Sequence, residues 1–166
     1  MNCFVGNGAL DIPQSEKGIF MHAKIPAPIF YFLTFTWGLP FTLLGLAAAL
    51  ALRIRGYKPK KHGYCYYFEA GKGWGGINLG LFFIVNEGST ASIRSHEHGH
   101  AVQNCYLGPF MLIIVALPSL IRSRYRVYLT EKKGVDARTL PAYDSIWFEG
   151  QATKLGREIV EYIEKS

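Results

Sequence analysis

Three histidines and a glutamate fall within five consecutive residues of this chain, from His96 to His100. The segment reads His-Glu-His-Gly-His and contains the pattern H-E-x-x-H. Residues four apart lie on one face of an α-helix, so His96 and His100 can present ring nitrogens to one metal ion. Glu97 would lie beside that ion, where its carboxylate can accept a proton from water. The pattern predicts a zinc site with hydrolytic chemistry. The alternative is a polar surface turn with three incidental histidines.

A third ligand is needed, because catalytic zinc usually has three protein ligands. The last helix, predicted from Asp144 or Ser145 to about residue 164, carries a stripe with 3–4 spacing that includes Glu149. A carboxylate on such an inward line is costly unless it is paired or bound to a metal. Glu149 is therefore the predicted third ligand. The alternative is that it pairs with a nearby lysine or arginine, or lies at the edge of the stripe in water. Asp144 is the reserve ligand, and His98 is weaker because it points to the opposite side of its helix.

Zinc held by these residues would lower the pKa of water from 15.7 toward about 7. Glu97 would accept the released proton and deliver it to the leaving amine as a general acid. The reaction also needs a donor that stabilises the developing oxyanion. The chain offers four candidates, among which the sequence does not choose: His98, Tyr143, Tyr162 and Arg124.

The elements that would position these residues are predicted from local patterns. Aromatic and apolar residues over 64–69 and 78–85 predict two strands, with glycine-rich turn residues between them. Ser89 or Thr90 is the predicted N-cap of a helix over 91–106, which Gly108-Pro109 ends. A second apolar helix over 110–121 is shorter than about 20 Å, too short to cross a bilayer unaided. We expect it to lie against the membrane face or to pack over the metal helix.

A long uncharged run near the N-terminus predicts contact with a membrane. Residues 25–52 carry no charged side chain, and about 20 apolar helical residues span a bilayer. We predict one transmembrane helix over 28–53, kinked at Gly38 or Pro40; a buried core helix is the alternative. Basic residues follow this run at 53–61. By the positive-inside rule, they predict an N-terminus outside and a metal-site domain in the cytoplasm.

The net charge of +6 fits the same environment, because anionic lipid headgroups attract basic segments. No nucleic-acid recognition motif accompanies the charge, so a nucleic-acid partner is not predicted. The cysteines are odd in number and form no C-x-x-C pair. This predicts reduced thiols rather than disulfides or a cysteine zinc site at Cys3, Cys65 and Cys105.

These segments together predict an α+β chain. Residues 1–27 form the predicted extracytoplasmic segment, 28–53 the transmembrane helix and 54–63 a basic linker. Residues 64–166 form a domain that contains a β-hairpin or short sheet, the metal helix, the second apolar helix and the C-terminal ligand helix.

The H-E-x-x-H pattern, followed by a glutamate on a later helix, resembles the gluzincin group of zinc metallopeptidases. The resemblance implies that residues 64–166 form a minimal zincin-like domain with Zn2+ as its cofactor. It implies ligand roles for His96, His100 and Glu149, and a catalytic role for Glu97.

The same resemblance implies a strand beside the metal helix, here within 78–85, that pairs with the main chain of an extended peptide substrate. Many gluzincins carry an acid four residues after the ligand glutamate, and Thr153 stands at that position here. The chain is also similar, over roughly residues 28–157, to small uncharacterised bacterial membrane proteins with an HExGHxxQ motif. That similarity implies no substrate.

The function predicted from these observations is a membrane-anchored, zinc-dependent metallopeptidase whose partners are the lipid bilayer and a peptide or protein substrate. The alternative is a non-catalytic membrane protein in which a structural zinc site supports an interaction module. A third interpretation takes the basic linker and the 110–121 helix as a lipid-binding device, with incidental histidines.

Overall fold

The computed structural model describes residues 21–166, so Cys3 and most of the predicted segment 1–27 lie outside the described residues. The fold mixes helices with one sheet, as predicted. The α-helices are α1 (Ala27–Phe35), α2 (Leu39–Ile54), α3 (Ala91–Leu107), α4 (Leu117–Lys132) and α5 (Trp147–Glu164). The strands are β1 (Lys60–His62), β2 (Cys65–Glu69), β3 (Gly76–Leu79) and β4 (Phe82–Val85).

The sheet has the strand order β1-β2-β4-β3. The two central strands, β2 and β4, are parallel, and each edge strand is antiparallel to its neighbour. The single strand predicted over 78–85 is wrong, because the chain reverses at Gly80-Leu81 and forms the β3–β4 hairpin. Gly80 has a φ of 72°, which suits the first position of a two-residue hairpin turn. β1 lies in the segment predicted as a basic linker.

The uncharged N-terminal run is two helices rather than the one helix predicted over 28–53. α1 and α2 meet at an angle of 89°. Gly38 lies at the bend, where an added Cβ would be 3.1 Å from the Asn104 side-chain Cγ. Among the described residues, no single helix has the length and apolarity to cross a membrane. Two bent pairs pass the same test of length and composition together, one formed by α1 and α2 and the other by the segments 91–110 and 112–132.

The second apolar run differs from the helix predicted over 110–121. It contains a 3-10 turn, Gly108–Phe110, then a π-helical turn, Leu112–Ala116, and only then α4, which continues to Lys132. Pro118 lies in the first turn of α4, where a missing backbone N–H costs little. The run therefore bends away from α3 at 114° rather than extending it.

The main apolar core lies between α3, α5 and one face of the sheet, with α1 closing one side. Phe30 of α1 and Phe83 of β4 are both fully buried in it. Cys65 and Cys105 are buried free thiols, as predicted for these two residues. A smaller cluster joins α2, the π-helical turn and the start of α5 through Phe41, Met111, Val115 and Phe148.

Candidate metal centre

The helix that carries the H-E-x-x-H pattern begins and ends where the sequence predicts. Thr90 is the N-cap, and its hydroxyl accepts a hydrogen bond from the Ile93 amide at 3.3 Å. Gly108 ends the helix with a φ of 52°, and its amide donates to the Asn104 carbonyl. The pattern therefore occupies the middle of α3, where helical geometry is fully established.

Two glycines bring α5 into backbone contact with α3. A Cβ added at Gly99 would lie 2.7 Å from the carbonyl carbon of Ala152, and one added at Gly156 would lie 2.5 Å from that of Ser95. Both are far below ordinary van der Waals contact. Gly99 stands between the two predicted histidine ligands. The close approach therefore occurs where α5 must lie if Glu149 is to reach them.

His96, His100 and Glu149 converge between these helices. The Glu149 Oε2 atom lies 3.0 Å from His96 Nε2 and 3.3 Å from His100 Nε2. One potential ligand atom from each residue lies within 4.8 Å of the others, and Glu149 is 0% exposed. The structure thus brings together the three predicted ligands in a cluster that could hold a metal ion. The reserve candidate Asp144 is exposed in the 3-10 turn Tyr143–Ser145 and is not part of this cluster.

The second ring nitrogen of His96 contacts a threonine. His96 Nδ1 lies 2.9 Å from Thr153 Oγ1. The Thr153 hydroxyl donates its own proton to the Glu149 backbone carbonyl at 3.2 Å, so its oxygen is left to accept from His96. His96 Nδ1 therefore carries a proton, and Nε2 is the ring atom that faces the carboxylate.

The second ring nitrogen of His100 is held in the same way by a buried amide. His100 Nδ1 lies 2.8 Å from Gln103 Oε1. The Gln103 amide donates to the Phe148 carbonyl at 2.8 Å and to Gln151 Oε1 at 3.1 Å, which fixes its orientation. Its oxygen must therefore accept from His100 Nδ1–H, and His100 Nε2 likewise faces the carboxylate.

The sequence offers no carboxylate that could orient His96 and His100. In the structure, Thr153 and Gln103 orient the two rings instead. From the sequence, Thr153 was noted only as a departure from the gluzincin pattern. A threonine four residues after Glu149 and a glutamine three residues after His100 are the signals that could have identified both partners, because these spacings keep side chains on one helix face. Hydrogen bonds of this kind are the usual outer support of metal-binding histidines.

The electrostatics of the cluster favour a positive charge at its centre. Burial disfavours an ionised Glu149, but hydrogen bonds from His100 and His96 outweigh it and hold its pKa below the usual range. Burial also disfavours a charged His100, yet the contact with Glu149 raises its pKa. Because Nδ1 of each ring donates to an outer partner, the two Nε2 atoms and one carboxylate oxygen face each other. A metal ion could bind all three atoms, whereas a proton on Nε2 joins one histidine to the carboxylate.

Glu97 lies beside the cluster and is almost fully buried. Burial raises its pKa, while the neighbouring His96 and His100 oppose that rise. Its carboxylate packs on the Cα of Gly76 at the start of β3, since an added Cβ there would lie 2.8 Å from Glu97 Cδ. Its Oε2 atom has no hydrogen-bond partner among the described residues. A carboxylate whose pKa is raised in this way is a stronger base than one in water, as a proton acceptor beside the cluster would need to be.

Of the four oxyanion candidates, the structure brings Tyr143 to the cluster. Its pKa is raised to about 12, first by burial and then by the charge of Glu149, and its hydroxyl lies 2.8 Å from Ser119 Oγ. His98 is instead fully buried in the main core, with its ring 5.9 Å from that of Phe30. Arg124 is exposed on α4, and Tyr162 packs on the main core near the far end of α5.

A cavity of about 200 Å³ adjoins the cluster on the side of His96. It lies between α3 and α5 and is lined by Ser92, Ser95, Thr153 and Arg157. Thr153 is also the hydrogen-bond partner of His96, so the cavity extends to the residue that orients this histidine. The His96 side chain is more exposed than that of His100.

Comparison of the chain with models of protein families, with curated proteins and with solved structures finds no match. What can be said of function therefore rests on the geometry of the cluster and on the chemistry of its donors.

Proposed function

We propose that the protein is a membrane-associated zinc metallopeptidase of gluzincin type. In this proposal His96, His100 and Glu149 hold the metal ion, and Glu97 is the general base and acid. The observation that carries it is the arrangement of the two imidazoles. Each has its proton fixed on Nδ1 by an outer partner, and each presents Nε2 to the same carboxylate oxygen.

The donor set favours zinc over other common metals. Two imidazole nitrogens and one carboxylate form a typical catalytic zinc ligand set, whereas calcium and magnesium prefer oxygen ligands alone. A plain ion pair is the competing explanation of the cluster. It would require a second proton on the Nε2 atom of His96 or His100, donated to Glu149 while Nδ1 donates to Thr153 or Gln103. Metal content, measured as described below, distinguishes the two explanations.

When bound, zinc supplies Lewis acidity and makes water a nucleophile at neutral pH. The chain's own residues then divide the remaining work. Glu97, buried and without a partner on Oε2, accepts the proton of the attacking water and returns it to the leaving amine. The Tyr143 phenol, with its raised pKa, remains protonated and donates to the developing oxyanion.

β3 is the strand that would bind substrate in this proposal. It is an edge of the sheet, and its Gly76 lies against the Glu97 carboxylate. The Asn78 side chain donates to the Glu97 backbone carbonyl at 3.0 Å and so fixes the strand to α3. The second edge of β3 pairs with no strand among residues 21–166. An extended peptide could add there by main-chain hydrogen bonds.

Exposed apolar side chains support the membrane part of the proposal. Leu43 and Leu50 on α2 and Ile113 in the π-helical turn are each more than half exposed. Trp37, at the α1–α2 bend, contacts Phe110 with ring centroids 6.2 Å apart, so the two apolar surfaces are continuous. Patches of this kind mark interfaces with membranes or partners. The basic segment 53–61 would then place the metal centre on the cytoplasmic side.

Metal content tests the ligand assignment. We expect about one zinc ion per chain in detergent-purified wild-type protein by elemental analysis. His96→Ala, His100→Ala and Glu149→Ala should each lose it. Asp144→Ala is the matched control and should keep it, since Asp144 is exposed outside the cluster. A folded wild-type protein without metal, even after zinc is supplied, would refute the proposal.

Glu97→Gln separates catalysis from binding. The substitution preserves shape but removes the basic carboxylate, so the variant should bind zinc normally and lose hydrolysis of a peptide library. Glu161→Gln, on the exposed surface of α5, is its control. Turnover retained by Glu97→Gln would contradict the mechanism.

The non-catalytic alternative has one observation in its favour, which is the burial of the centre. Glu149 is inaccessible, and the His96 and His100 side chains are only 15% and 9% exposed. If the zinc site is purely structural, removing the metal with a chelator should unfold the protein. Wild-type protein and Glu97→Gln should then both lack hydrolytic activity.

A further inference from the structure

A second feature of the fold, remote from the metal cluster, is a groove between α2 and the sheet. Its volume is about 330 Å³, within the range of roughly 300–1,000 Å³ found for ligand pockets. The α2 side is formed by Leu46, Ala49, Leu50 and Arg53, and the opposite side by Pro59, Tyr66, Phe68 and Phe82. The four α2 positions follow the i, i+3, i+4, i+7 spacing and so form one helix face. All lining residues except Arg53 are apolar or aromatic.

The charged end of the groove is strongly basic. Arg53 lies in the last turn of α2, and four more cations follow within eight residues: Arg55, Lys58, Lys60 and Lys61. One acid on β2, Glu69, pairs with Lys60 at 3.0 Å. The other cations of the segment have no ion pair among the described residues. An anionic group that enters the groove at this end therefore meets an excess of positive charge.

We propose that this groove binds one acyl chain of an anionic phospholipid, with the lipid phosphate at Arg53. An acyl chain has no polar groups, so it loses nothing by lying among Leu50, Tyr66 and Phe82. A peptide in the same place would bring backbone N–H and C=O groups against walls that offer almost no hydrogen-bond partners. The combination of an apolar groove and a basic end thus matches a lipid better than a polypeptide.

The inference does not depend on the metal centre. None of the groove residues contributes to the His96, His100 and Glu149 cluster, and the side of α2 that faces the groove is directed at the sheet rather than at α3. Lipid binding can therefore succeed or fail whether or not the protein hydrolyses peptides.

Native mass spectrometry of the delipidated, full-length protein in detergent tests the proposal. Phosphatidylglycerol and phosphatidylcholine with identical acyl chains are titrated separately. Leu50→Glu places a negative charge on the groove wall, and Leu44→Glu places one on the opposite face of α2. The two leucines are similarly exposed, at 56% and 53%, so neither change disturbs the core. Arg53→Gln, with Arg55→Gln as its control, removes the proposed phosphate partner.

We expect wild-type protein to retain one phosphatidylglycerol in preference to phosphatidylcholine. Leu50→Glu should weaken that binding at least about tenfold, while Leu44→Glu stays within about twofold. Arg53→Gln should reduce the preference for phosphatidylglycerol by about fivefold, the effect of one cation at an anionic lipid. Thermal unfolding, measured on the same samples, confirms that the variants are folded.

Three results would overturn the proposal. One is equal loss of lipid in Leu50→Glu and Leu44→Glu, which would mean that lipid coats the helix without using the groove. Another is equal binding of the two lipids by wild-type protein. The third is a dimer that dissociates in Leu50→Glu but not in Leu44→Glu, which would make a second copy of the chain the occupant.

Discussion

Replacing Gly99 with alanine tests whether the approach of α3 and α5 builds the metal centre. Two effects of the change oppose each other. Alanine favours a helix over glycine by up to about 1 kcal/mol, which would stabilise α3. The added Cβ would lie 2.7 Å from the Ala152 carbonyl carbon, whereas ordinary contact begins at 3.4 Å. The two helices must therefore separate by at least about 0.7 Å, the difference between these distances, because the Ala152 carbonyl oxygen would lie closer still.

That separation decides whether the substitution stabilises or destabilises the protein. Overpacking of this kind costs about 1–3 kcal/mol, which exceeds the gain in helix propensity and leaves a net loss of about 1 kcal/mol. The effect on the metal is larger, because ligand distances tolerate only about 0.2 Å. Glu149 is carried by α5 and its partners His96 and His100 by α3, so the displacement falls between the ligands. We expect zinc affinity to drop at least about tenfold.

The assay is zinc affinity by competition with a chromophoric chelator, together with thermal unfolding in the presence and absence of that chelator. Ser92→Ala, at an exposed position in the first turn of α3, is the control, because it changes helix propensity without adding an atom toward α5. A Gly99→Ala variant with wild-type zinc affinity and an unchanged or higher Tm would show that backbone contact at Gly99 does not set the geometry of the site.

Three further substitutions test the supports of the site. Thr153→Val removes the acceptor for His96 Nδ1–H, so zinc affinity measured by chelator competition should fall about tenfold and recover in Thr153→Ser. Asn78→Ala removes three hydrogen bonds, including the one to the Glu97 carbonyl, and should lower the free energy of unfolding in denaturant by about 2–3 kcal/mol. Thr90→Ala removes the N-cap of α3 and should cost about 1 kcal/mol in the same measurement.

The outcomes that would contradict these predictions differ in kind. If Thr153→Val and Thr153→Ser bind zinc equally, the hydroxyl does not orient His96. If Asn78→Ala is no less stable than Asn86→Ala, whose side chain bonds only to the next residue, β3 is held to α3 by packing alone. If Thr90→Ser is as unstable as Thr90→Ala, the loss comes from the Thr90 methyl group rather than from the cap.

The helix α3 and the inward position of Glu149 could be predicted because their signals are local. Thr90 and Gly108 mark the ends of α3 within the sequence itself, and H-E-x-x-H needs only helical spacing to place two imidazoles together. Glu149 could be found because a carboxylate on an inward-facing line has few explanations. None of these inferences required knowledge of how distant segments pack.

The elements that could not be predicted depend on contacts made across the fold. The sharp turn between α1 and α2 is fixed where Gly38 meets Asn104, 66 residues further along the chain. The chain reverses at Gly80 within a run whose sequence is typical of one apolar strand. The Asn78 side chain, next to this turn, donates a hydrogen bond to α3. Thr153 could not be identified from the sequence as the partner of His96. A hydroxyl can replace a carboxylate as the acceptor only when its own proton is donated elsewhere, and here that proton goes to the Glu149 carbonyl.

The residues that follow the H-E-x-x-H pattern connect the metal cluster to the rest of the molecule. Gln103 orients His100 and bonds to the first turn of α5, while the next residue, Asn104, donates to Gly38 at the bend of the apolar helices. One turn of α3 thus contacts both the ligand helix and the apolar surface. If that surface lies in a bilayer, as proposed, the bend and the metal ligands share one rigid support. The centre would then be held at a fixed position relative to the membrane, which favours substrates that are themselves membrane-bound.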